Sequence, residues 1–253
     1  MSADLYLRNI LIREREDTGP FAPVRGVIAT MTPLIQQWAN SYLFSVCPSG
    51  SFAKGTANRS GTDIDLFISL SAETPFTLEE IYARLFRHLV NSGYDPRKRN
   101  VSINTRVGAF DVDLVPGRRQ DAYSEDHSLW RDRANTWTKT NVQTHIAFVR
   151  SSNRLEEVRL LKLWRNQKGL DFPSFYLELA TITALVGQPV GNLSANVWKA
   201  FEYLRDLFTA ARTVDPANTN NIVSDDLTAA EKGKVRAAAV QALAAKNWSE
   251  IIV

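Results

Sequence analysis

The fold of this chain is decided by the stretch Gly50-Ser51-Phe52-Ala53-Lys54-Gly55-Thr56-Ala57-Asn58-Arg59-Ser60-Gly61-Thr62-Asp63-Ile64-Asp65-Leu66. It begins as a turn of small residues and ends as an alternating strand, which places Asp63 and Asp65 on one face. Neighbouring carboxylates repel each other unless a cation lies between them, and Mg²⁺ is typically held by carboxylates together with substrate phosphates. Gly50 and Ser51 offer open backbone and a hydroxyl, the chemistry of a phosphate cradle. The alternative is a surface hairpin with two solvated aspartates, and the upstream Gly-Ser pair favours the binding site.

A second strand with carboxylates on one face is predicted over residues 109–117, where apolar residues alternate with Asp111 and Asp113. Pro116-Gly117 is predicted to end this strand. A two-metal site needs several oxygen ligands, and Asp113 can supply the third carboxylate. Asp111 is a second acid on the same face, so it either substitutes for Asp113 or tunes it. Alternatively, both aspartates face water on an edge strand.

Composition predicts an ordinary globular protein with a mild preference for anionic ligands. The chain has 253 residues, 44% hydrophobic and 23% charged, with a net charge of +3 and a pI near 9.0. Its single cysteine, Cys47, excludes an intramolecular disulfide and fits a reducing compartment. No secretory segment and no apolar run of membrane length is visible, so a cytoplasmic protein without a membrane partner is expected.

The order of predicted elements indicates an α+β fold with two lobes. A capping box at Thr77 and Glu80 starts a helix in the first half, and a long polar loop is predicted over 118–136. After residue 137 the pattern becomes helical. We therefore predict a catalytic lobe over 1–136, with a small mixed β-sheet flanked by helices, and a helical lobe over 137–253. The predicted helices are 3–16, 23–40, 76–91, 139–151, 153–167, 174–187, 194–212 and 227–245; the predicted strands are 42–46, 63–70, 97–107 and 109–117.

Helix 153–167 has one narrow polar stripe, formed by Arg159, Lys162 and Asn166, on an otherwise apolar surface. The stripe is either a solvent-facing edge or a means for Lys162 to reach a triphosphate. The sequence leaves both interpretations open.

The Gly50-Ser51 and Asp63-x-Asp65 pattern resembles the signature of the DNA polymerase β-like nucleotidyltransferases. Further motifs resemble one branch, which contains oligoadenylate synthetases, cyclic GMP-AMP synthases, their bacterial relatives (the CD-NTases) and archaeal CCA-adding enzymes. These motifs are 113–116 (Asp-Leu-Val-Pro), 158–164, 172–179 and the Asp-Pro…Asn-Asn segment at 215–221.

The resemblance implies roles for specific residues. The implied ligands of two Mg²⁺ ions, with Mn²⁺ as an alternative, are Asp63, Asp65 and Asp113, which are also the catalytic carboxylates. The implied nucleotide-binding residues are Gly50, Ser51, Lys162, Ser174 and Phe175. In this assignment Phe175 stacks on a base, although a core aromatic residue would fit the same pattern.

The implied activity is template-independent joining of nucleoside triphosphates, ATP among them, into a cyclic or linear oligonucleotide messenger in antiphage defence, with a protein activator as a candidate partner. One rival is nucleotide addition to an RNA or tRNA 3′ end, for which Arg97, Lys98, Arg99, Arg118 and Arg119 would bind phosphates or would simply be a solvated face. A second rival is a catalytically weak nucleotide-binding module.

Overall fold

The chain forms two compact units, each with its own hydrophobic core. The structure, a computed structural model, describes residues 2–61 and 63–253. The sheet unit comprises residues 17–54 and 63–146, and the helical unit comprises 2–16, 55–61 and 147–253. The chain therefore passes between the units four times, whereas the sequence predicted a single boundary near residue 137.

The elements follow in chain order. The helices of the described residues are α1 (Ala3–Arg13), α2 (Pro23–Ala39), α3 (Gly50–Lys54), α4 (Leu78–Asn91), α5 (Val142–Ser151), α6 (Leu155–Gln167), α7 (Ser174–Ala184), α8 (Leu193–Asp206) and α9 (Ala229–Ala244). The strands are β1 (Leu43–Pro48), β2 (Ile64–Leu70), β3 (Arg97–Lys98), β4 (Ile103–Val107), β5 (Phe110–Arg119), β6 (His127–Arg131), β7 (Thr136–Thr140), β8 (Val214–Asp215) and β9 (Asn218–Ile222).

The sheet unit is built on a mixed sheet in the order β1-β2-β5-β4-β3, which β6 and β7 extend from the far end of β5. Strands β2 and β5 are parallel, and the other pairs are antiparallel. Apolar residues from α2, α4 and the inner face of the sheet form its core, including Met31, Ile68 and Leu85. One face of β2 and β5 is thus buried by helices, which leaves the other face to carry the carboxylates.

Four sequence predictions for this unit are corrected. The predicted loop 118–136 contains β6, and the predicted helix from residue 139 begins only at Val142, because residues 136–140 form β7. The predicted strand 97–107 is a hairpin of β3 and β4.

The fourth correction is that Pro116-Gly117 lies inside β5 rather than at its end. Strand β4 pairs with β5 only as far as Leu114, and β6 begins to pair at Arg118, so Pro116 has a paired neighbour only on its β2 side. A proline without an N–H is tolerated there. A side chain at Gly117 would come within 2.6 Å of the Phe67 ring, which explains the glycine.

Local signals at α4 are confirmed. Thr77 accepts a hydrogen bond from the backbone N–H of Glu80, and the Glu80 carboxylate accepts one from the backbone N–H of Thr77. This capping box satisfies backbone donors that the first turn leaves without helical partners. Gly93 follows the helix with a φ of +84°, a conformation that glycine adopts without strain.

The helical unit packs α6, α7, α8 and α9 around Trp164, Tyr176, Phe201 and Phe208, all of which are fully buried. Helix α1 joins this core through Leu7, which explains why the N-terminal residues belong here and not to the sheet unit. Between the predicted helices 194–212 and 227–245, residues 214–222 form the small hairpin of β8 and β9. Within the described residues, no helix has both the length and the apolar character needed to cross a membrane.

Candidate active site

The parallel pairing of β2 and β5 brings carboxylates from two strands together. Asp65 in β2 lies directly opposite Asp113 in β5. Asp63 precedes β2 by one residue, and alternation along the strand gives it the same face as Asp65. Three carboxylates that are separated by up to 50 residues in sequence therefore share one face of the sheet.

Asp113 and Asp111 differ in their surroundings. Asp113 is half-buried, and its Oδ1 atom is buried without a hydrogen-bond partner among the described residues. Asp111 is exposed and lies opposite Arg106 on β4. Because a buried oxygen without a partner costs free energy, Asp113 has the greater need of a ligand. This difference favours Asp113 as the third carboxylate of the predicted metal site and Asp111 as a neighbouring charge that adjusts the electrostatic potential there.

The pKa of Asp63 reflects the charges on this face. Burial raises the pKa of its carboxyl group, and the neighbouring charges of Asp113 and Asp111 raise it further, while Arg99 acts in the opposite direction. Both main causes penalise the ionised form, as expected where like charges gather. A cation on this face would relieve that penalty.

The Gly-Ser segment lies against the same carboxylates. Gly50 begins α3 with a φ of +53°, and a Cβ atom built on it would overlap the carboxylate of Asp65. The backbone N–H of Ser49 donates a hydrogen bond to the backbone carbonyl of Asp65 at 2.8 Å, which fixes α3 beside β2. Position 50 therefore requires glycine for two reasons, its backbone conformation and its close approach to Asp65. Ser51 follows, half-buried, in the first turn of α3.

The residues predicted in the second half of the chain lie in the helical unit. The Lys162 ammonium donates a hydrogen bond to the backbone carbonyl of Thr56 at 3.1 Å and lies 3.7 Å from Oε1 of Glu178. The interpretation of a solvent-facing stripe is therefore wrong for Lys162, which is 7% exposed. The hydroxyl of Ser174 accepts a hydrogen bond from Arg165 at 2.9 Å. Phe175 is partly buried against the core of the helical unit.

The sheet face is suited to a hard divalent cation, although the side chains do not form a finished coordination sphere. Over residues 2–61 and 63–253, no group of three or more His, Cys, Asp and Glu side chains has the arrangement of a metal site. The donors on the carboxylate face are all oxygens, the type that Mg²⁺ prefers, and the buried Oδ1 of Asp113 needs a partner. By these two criteria Asp63, Asp65 and Asp113 fit the predicted ion.

Two of the five basic residues proposed to bind RNA are internal supports. Arg119 is 5% exposed, donates to the Ser124 carbonyl and Glu125, and stacks on Phe44. Arg118 donates to the backbone carbonyls at positions 74 and 76. Their hydrogen bonds remove both from the predicted phosphate-binding surface. Arg97, Lys98 and Arg99 remain exposed.

Sequence reasoning missed Thr56, Asn58 and Glu178, which hold the segment between α3 and β2. Thr56 donates a hydrogen bond to Glu178 at 2.7 Å, and Asn58 exchanges two hydrogen bonds with Arg159. Glu178 had a detectable signal, because it is a single carboxylate within the apolar run 175–179. Asn104 was also missed. It is 9% exposed and lies opposite Asp113 on β4, so it borders the carboxylate face.

Comparison with known proteins agrees with this geometry. Residues 35–121, which include Gly50, Ser51 and all three carboxylates, match the nucleotidyltransferase domain family. The match is confined to this part of the chain. It confirms the predicted relation to the DNA polymerase β-like superfamily and the prediction of a nucleotidyltransferase.

A curated relative and several solved structures extend the likeness. The cyclic AMP-AMP-AMP synthase of Escherichia coli (strain MS 115-1) is 29% identical over 159 residues, which are 57% of this chain and 50% of that protein. The match thus spans only half the length of that relative.

E. coli MS115-1 CdnC, solved with HORMA-deltaN and with ATP, has a TM-score of 0.77 at 21% identity, covering 96% of this chain and 90–91% of CdnC. The Cid1 poly(U) polymerase has a TM-score of 0.67 at 12% identity, covering 95% of this chain and 93% of Cid1. At these identities the two structures establish the fold, and the predicted α+β class is confirmed.

Proposed function

We propose that this chain joins nucleoside triphosphates, ATP among them, into a short cyclic or linear oligonucleotide messenger and releases pyrophosphate. The observation that carries this proposal is the pairing of Asp65 with Asp113 beside Gly50. The relative described as a cyclic AMP-AMP-AMP synthase supports the choice of product. We further propose a role in antiphage defence in the cytoplasm.

The proposed reaction is attack of a ribose hydroxyl on the α-phosphorus of a nucleoside triphosphate. A new P–O bond forms at the α-phosphorus, the bond to the bridging oxygen of the β-phosphate breaks, and pyrophosphate leaves with both electrons of that bond. The hydroxyl proton passes to a carboxylate, for which Asp113 is our candidate because its buried Oδ1 has no hydrogen-bond partner among the described residues. A carboxylate in this position acts as a general base when it lies within reach of the hydroxyl.

In this proposal Asp63, Asp65 and Asp113 would hold two Mg²⁺ ions, with Mn²⁺ as an alternative. When bound, such ions lower the pKa of an attacking hydroxyl and neutralise charge on the triphosphate. The raised pKa of Asp63 supports the assignment, because a face that penalises negative charge gains from a cation.

The remaining predicted residues would bind the nucleotide. The backbone at Gly50 and the Ser51 hydroxyl would contact phosphates, and the charge of Lys162 would serve the same purpose from α6. Ser174 would contribute a hydroxyl at the start of α7. Phe175 would stack on a base with the part of its ring that is not buried in the core.

A protein activator is part of the proposal. CdnC was solved in a complex with HORMA-deltaN, and CdnC covers almost the whole of this chain in structural alignment. We therefore expect weak activity from the isolated chain and stronger activity when a partner protein stabilises the active conformation.

Addition of nucleotides to an RNA end is the second candidate, because the Cid1 poly(U) polymerase shares this fold. An RNA-extending enzyme must hold a long polyanion, and the exposed basic residues Arg97, Lys98 and Arg99 are available for contacts with phosphates. The internal hydrogen bonds of Arg118 and Arg119 reduce the predicted surface and favour the messenger product.

The decisive experiment is product analysis by mass spectrometry after incubation with each labelled triphosphate and Mg²⁺, first without RNA and then with tRNA. The Asp65→Asn variant serves as the control for contaminating activity. The proposal predicts short oligonucleotides without RNA that are absent with the variant. Label found only in tRNA would support the RNA-extending activity instead of messenger synthesis. If no pyrophosphate is released under any condition, the catalytically weak nucleotide-binding module is the interpretation that remains.

A further inference from the structure

Residues 55–61, which we call the catalytic-site loop, have an unusual place in the chain. They follow directly after α3, which carries Gly50 and Ser51, and they end two residues before Asp63. Both flanking segments belong to the sheet unit, whereas the loop itself belongs to the helical unit. The backbone that positions two predicted parts of the active site is therefore anchored by the helical unit.

The first anchor is at Thr56, which is fully buried. Its hydroxyl donates a hydrogen bond to Oε1 of Glu178 at 2.7 Å, and its carbonyl accepts one from Lys162 at 3.1 Å. Glu178 is also fully buried, and its charge is balanced by Lys162 at 3.7 Å. Because a buried charge is tolerated only with partners in good geometry, this group of three residues resists displacement.

The second anchor is at Asn58, which is 5% exposed. Its amide nitrogen donates to the backbone carbonyl of Arg159 at 2.9 Å, and its amide oxygen accepts from Nε of Arg159 at 3.1 Å. The Arg159 guanidinium also donates to the carbonyls of Leu11 and Glu14, at 3.1 and 2.9 Å. Asn58 is thus connected to both α6 and the end of α1.

The third anchor is at Glu14, where α1 ends. Its backbone carbonyl accepts a hydrogen bond from the backbone N–H of Arg59 at 3.1 Å, and its carboxylate accepts one from the N–H of Ser60 at 3.0 Å. Three successive parts of the catalytic-site loop are therefore bound to α7, α6 and α1.

We propose that Thr56, Asn58 and Glu178 are positioning residues for nucleotidyl transfer. They hold the catalytic-site loop on the helical unit and thereby fix Ser51 at one end of the loop and Asp63 at the other. The proposal rests on the proposed function, since it assumes that these two residues act on the substrate. Small displacements of reacting groups reduce turnover far more than they reduce substrate binding.

Asn58→Ala is the central test, and Asn196→Ala is its matched control. Asn196 is 2% exposed, lies in the same unit and donates hydrogen bonds to Glu157 at 2.9 Å and to the Pro189 carbonyl at 3.0 Å. Both variants remove one buried amide from the helical unit, but only Asn58 belongs to the catalytic-site loop. We expect Asn58→Ala to lower kcat for pyrophosphate release by about tenfold to a hundredfold with KM nearly unchanged. Asn196→Ala should leave kcat within about twofold.

Hydrogen exchange measured by mass spectrometry supplies a readout that does not depend on activity. Each variant is measured at the same number of degrees below its own melting temperature. The proposal predicts faster exchange at the backbone amides of 55–61 and of 63–66 in Asn58→Ala than in Asn196→Ala. If Asn58→Ala does not fold, Thr56→Val takes its place and Thr56→Ser serves as the conservative variant, because serine retains the hydroxyl that Glu178 accepts from.

The outcomes separate two failures. If the wild-type chain releases no pyrophosphate, the proposed function fails, and the exchange data alone decide whether the loop is held by these residues. If the wild type is active, equal kcat values for the Asn58 and Asn196 variants overturn the proposal, as does equal loss in Thr56→Val and Thr56→Ser. Exchange that rises at 55–61 but not at 63–66 would also overturn it, because the loop would then not transmit its position to Asp63.

Discussion

The carboxylate face of the sheet and the catalytic-site loop are adjacent in sequence, but like charges lie together on the face whereas opposite charges are paired beside the loop. On the sheet, Asp63, Asp65 and Asp113 share a face, and the pKa of Asp63 is raised by burial and by its like-charged neighbours. Against the loop, the charge of Lys162 in α6 is balanced by Glu178 in α7, which also accepts a hydrogen bond from Thr56 of the loop. Because like charges lie together on the carboxylate face, a bound cation would stabilise it. The buried ion pair beside the loop instead holds the catalytic-site loop in position.

The largest effect that sharpens this comparison is expected at Asp113. Asp113→Asn removes a charge from the carboxylate face and should lower turnover by about a hundredfold or more, since it removes a proposed metal ligand and proton acceptor. Asp111→Asn, two residues away on the same strand, should retain most activity, because Asp111 is exposed and lies opposite Arg106. Initial rates of pyrophosphate release against Mg²⁺ concentration provide the measurement. The reverse ranking would assign the third carboxylate to Asp111.

The second-largest effect is expected at Lys162, which contacts Thr56 of the catalytic-site loop and is also a predicted phosphate contact. Lys162→Met should weaken binding of a non-hydrolysable ATP analogue by roughly tenfold to a hundredfold, the equivalent of about 1.5–3 kcal/mol for a charged hydrogen bond. It should also destabilise the fold, because Glu178 keeps a buried charge after its partner is removed.

The double variant Lys162→Met with Glu178→Gln separates these two consequences. It should recover much of the lost stability in thermal unfolding while nucleotide affinity stays low. If the double variant binds the analogue as the wild type does, Lys162 only balances Glu178 and does not contact phosphate.

The residues and signals that the sequence predicted most directly share one property, namely that their chemistry is visible within a few positions. Gly50-Ser51, Asp63-x-Asp65 and the capping box at Thr77 each depend on local spacing, and the structure places them in α3, beside and within β2, and at the start of α4. The α+β class followed from the same local patterns.

The residues that were missed depend on contacts distant in sequence. Glu178 meets Thr56 across 122 positions, and Arg159 meets Asn58 across 101. Strands β6 and β7 were missed because most of their residues are polar, so they lack the apolar alternation that predicts a strand, although His127 and Leu129 of β6 are buried. No local pattern encodes the pairing of such segments, which is decided when β5 offers an edge beyond Leu114.

A smaller effect concerns the stability of the carboxylate face. The folded protein holds the Asp63 proton more tightly than the unfolded chain, because its pKa is raised above the ordinary value of 3.8. Ionisation of Asp63 therefore costs stability at neutral pH, and this cost disappears as the pH falls below 3.8. Asp63→Asn should thus melt at a higher temperature than the wild type at pH 7, and the gain should vanish in acid.

Asp126→Asn is the control of opposite sign for this measurement. Hydrogen bonds from Asn141 and Lys139 lower the pKa of Asp126, so its charge stabilises the fold at neutral pH and this contribution is lost as the pH falls. Asp126→Asn should melt at a lower temperature than the wild type at pH 7. If both variants shift the melting temperature in the same direction, like-charge repulsion does not govern the sheet face.

The smallest effect is expected at the exposed basic residues, and it tests whether positive charge outside the two regions matters. Arg97 is exposed on β3, and Lys98 forms a partly exposed ion pair with Asp132 at 3.1 Å, a type of contact that typically contributes about 0.2–1 kcal/mol. Replacing both basic residues with glutamine should leave oligonucleotide synthesis from triphosphates within about twofold, because a small substrate does not need an extended cationic surface. Arg118→Gln is the contrasting variant. It should lower the melting temperature, since Arg118 holds the backbone carbonyls at positions 74 and 76.

A chain that extends RNA would behave differently, because polyanion binding releases counterions and weakens steeply with added salt. Loss of tRNA labelling in the Arg97 and Lys98 double variant, together with a steep salt dependence in the wild type, would therefore identify RNA as the substrate and reject the messenger.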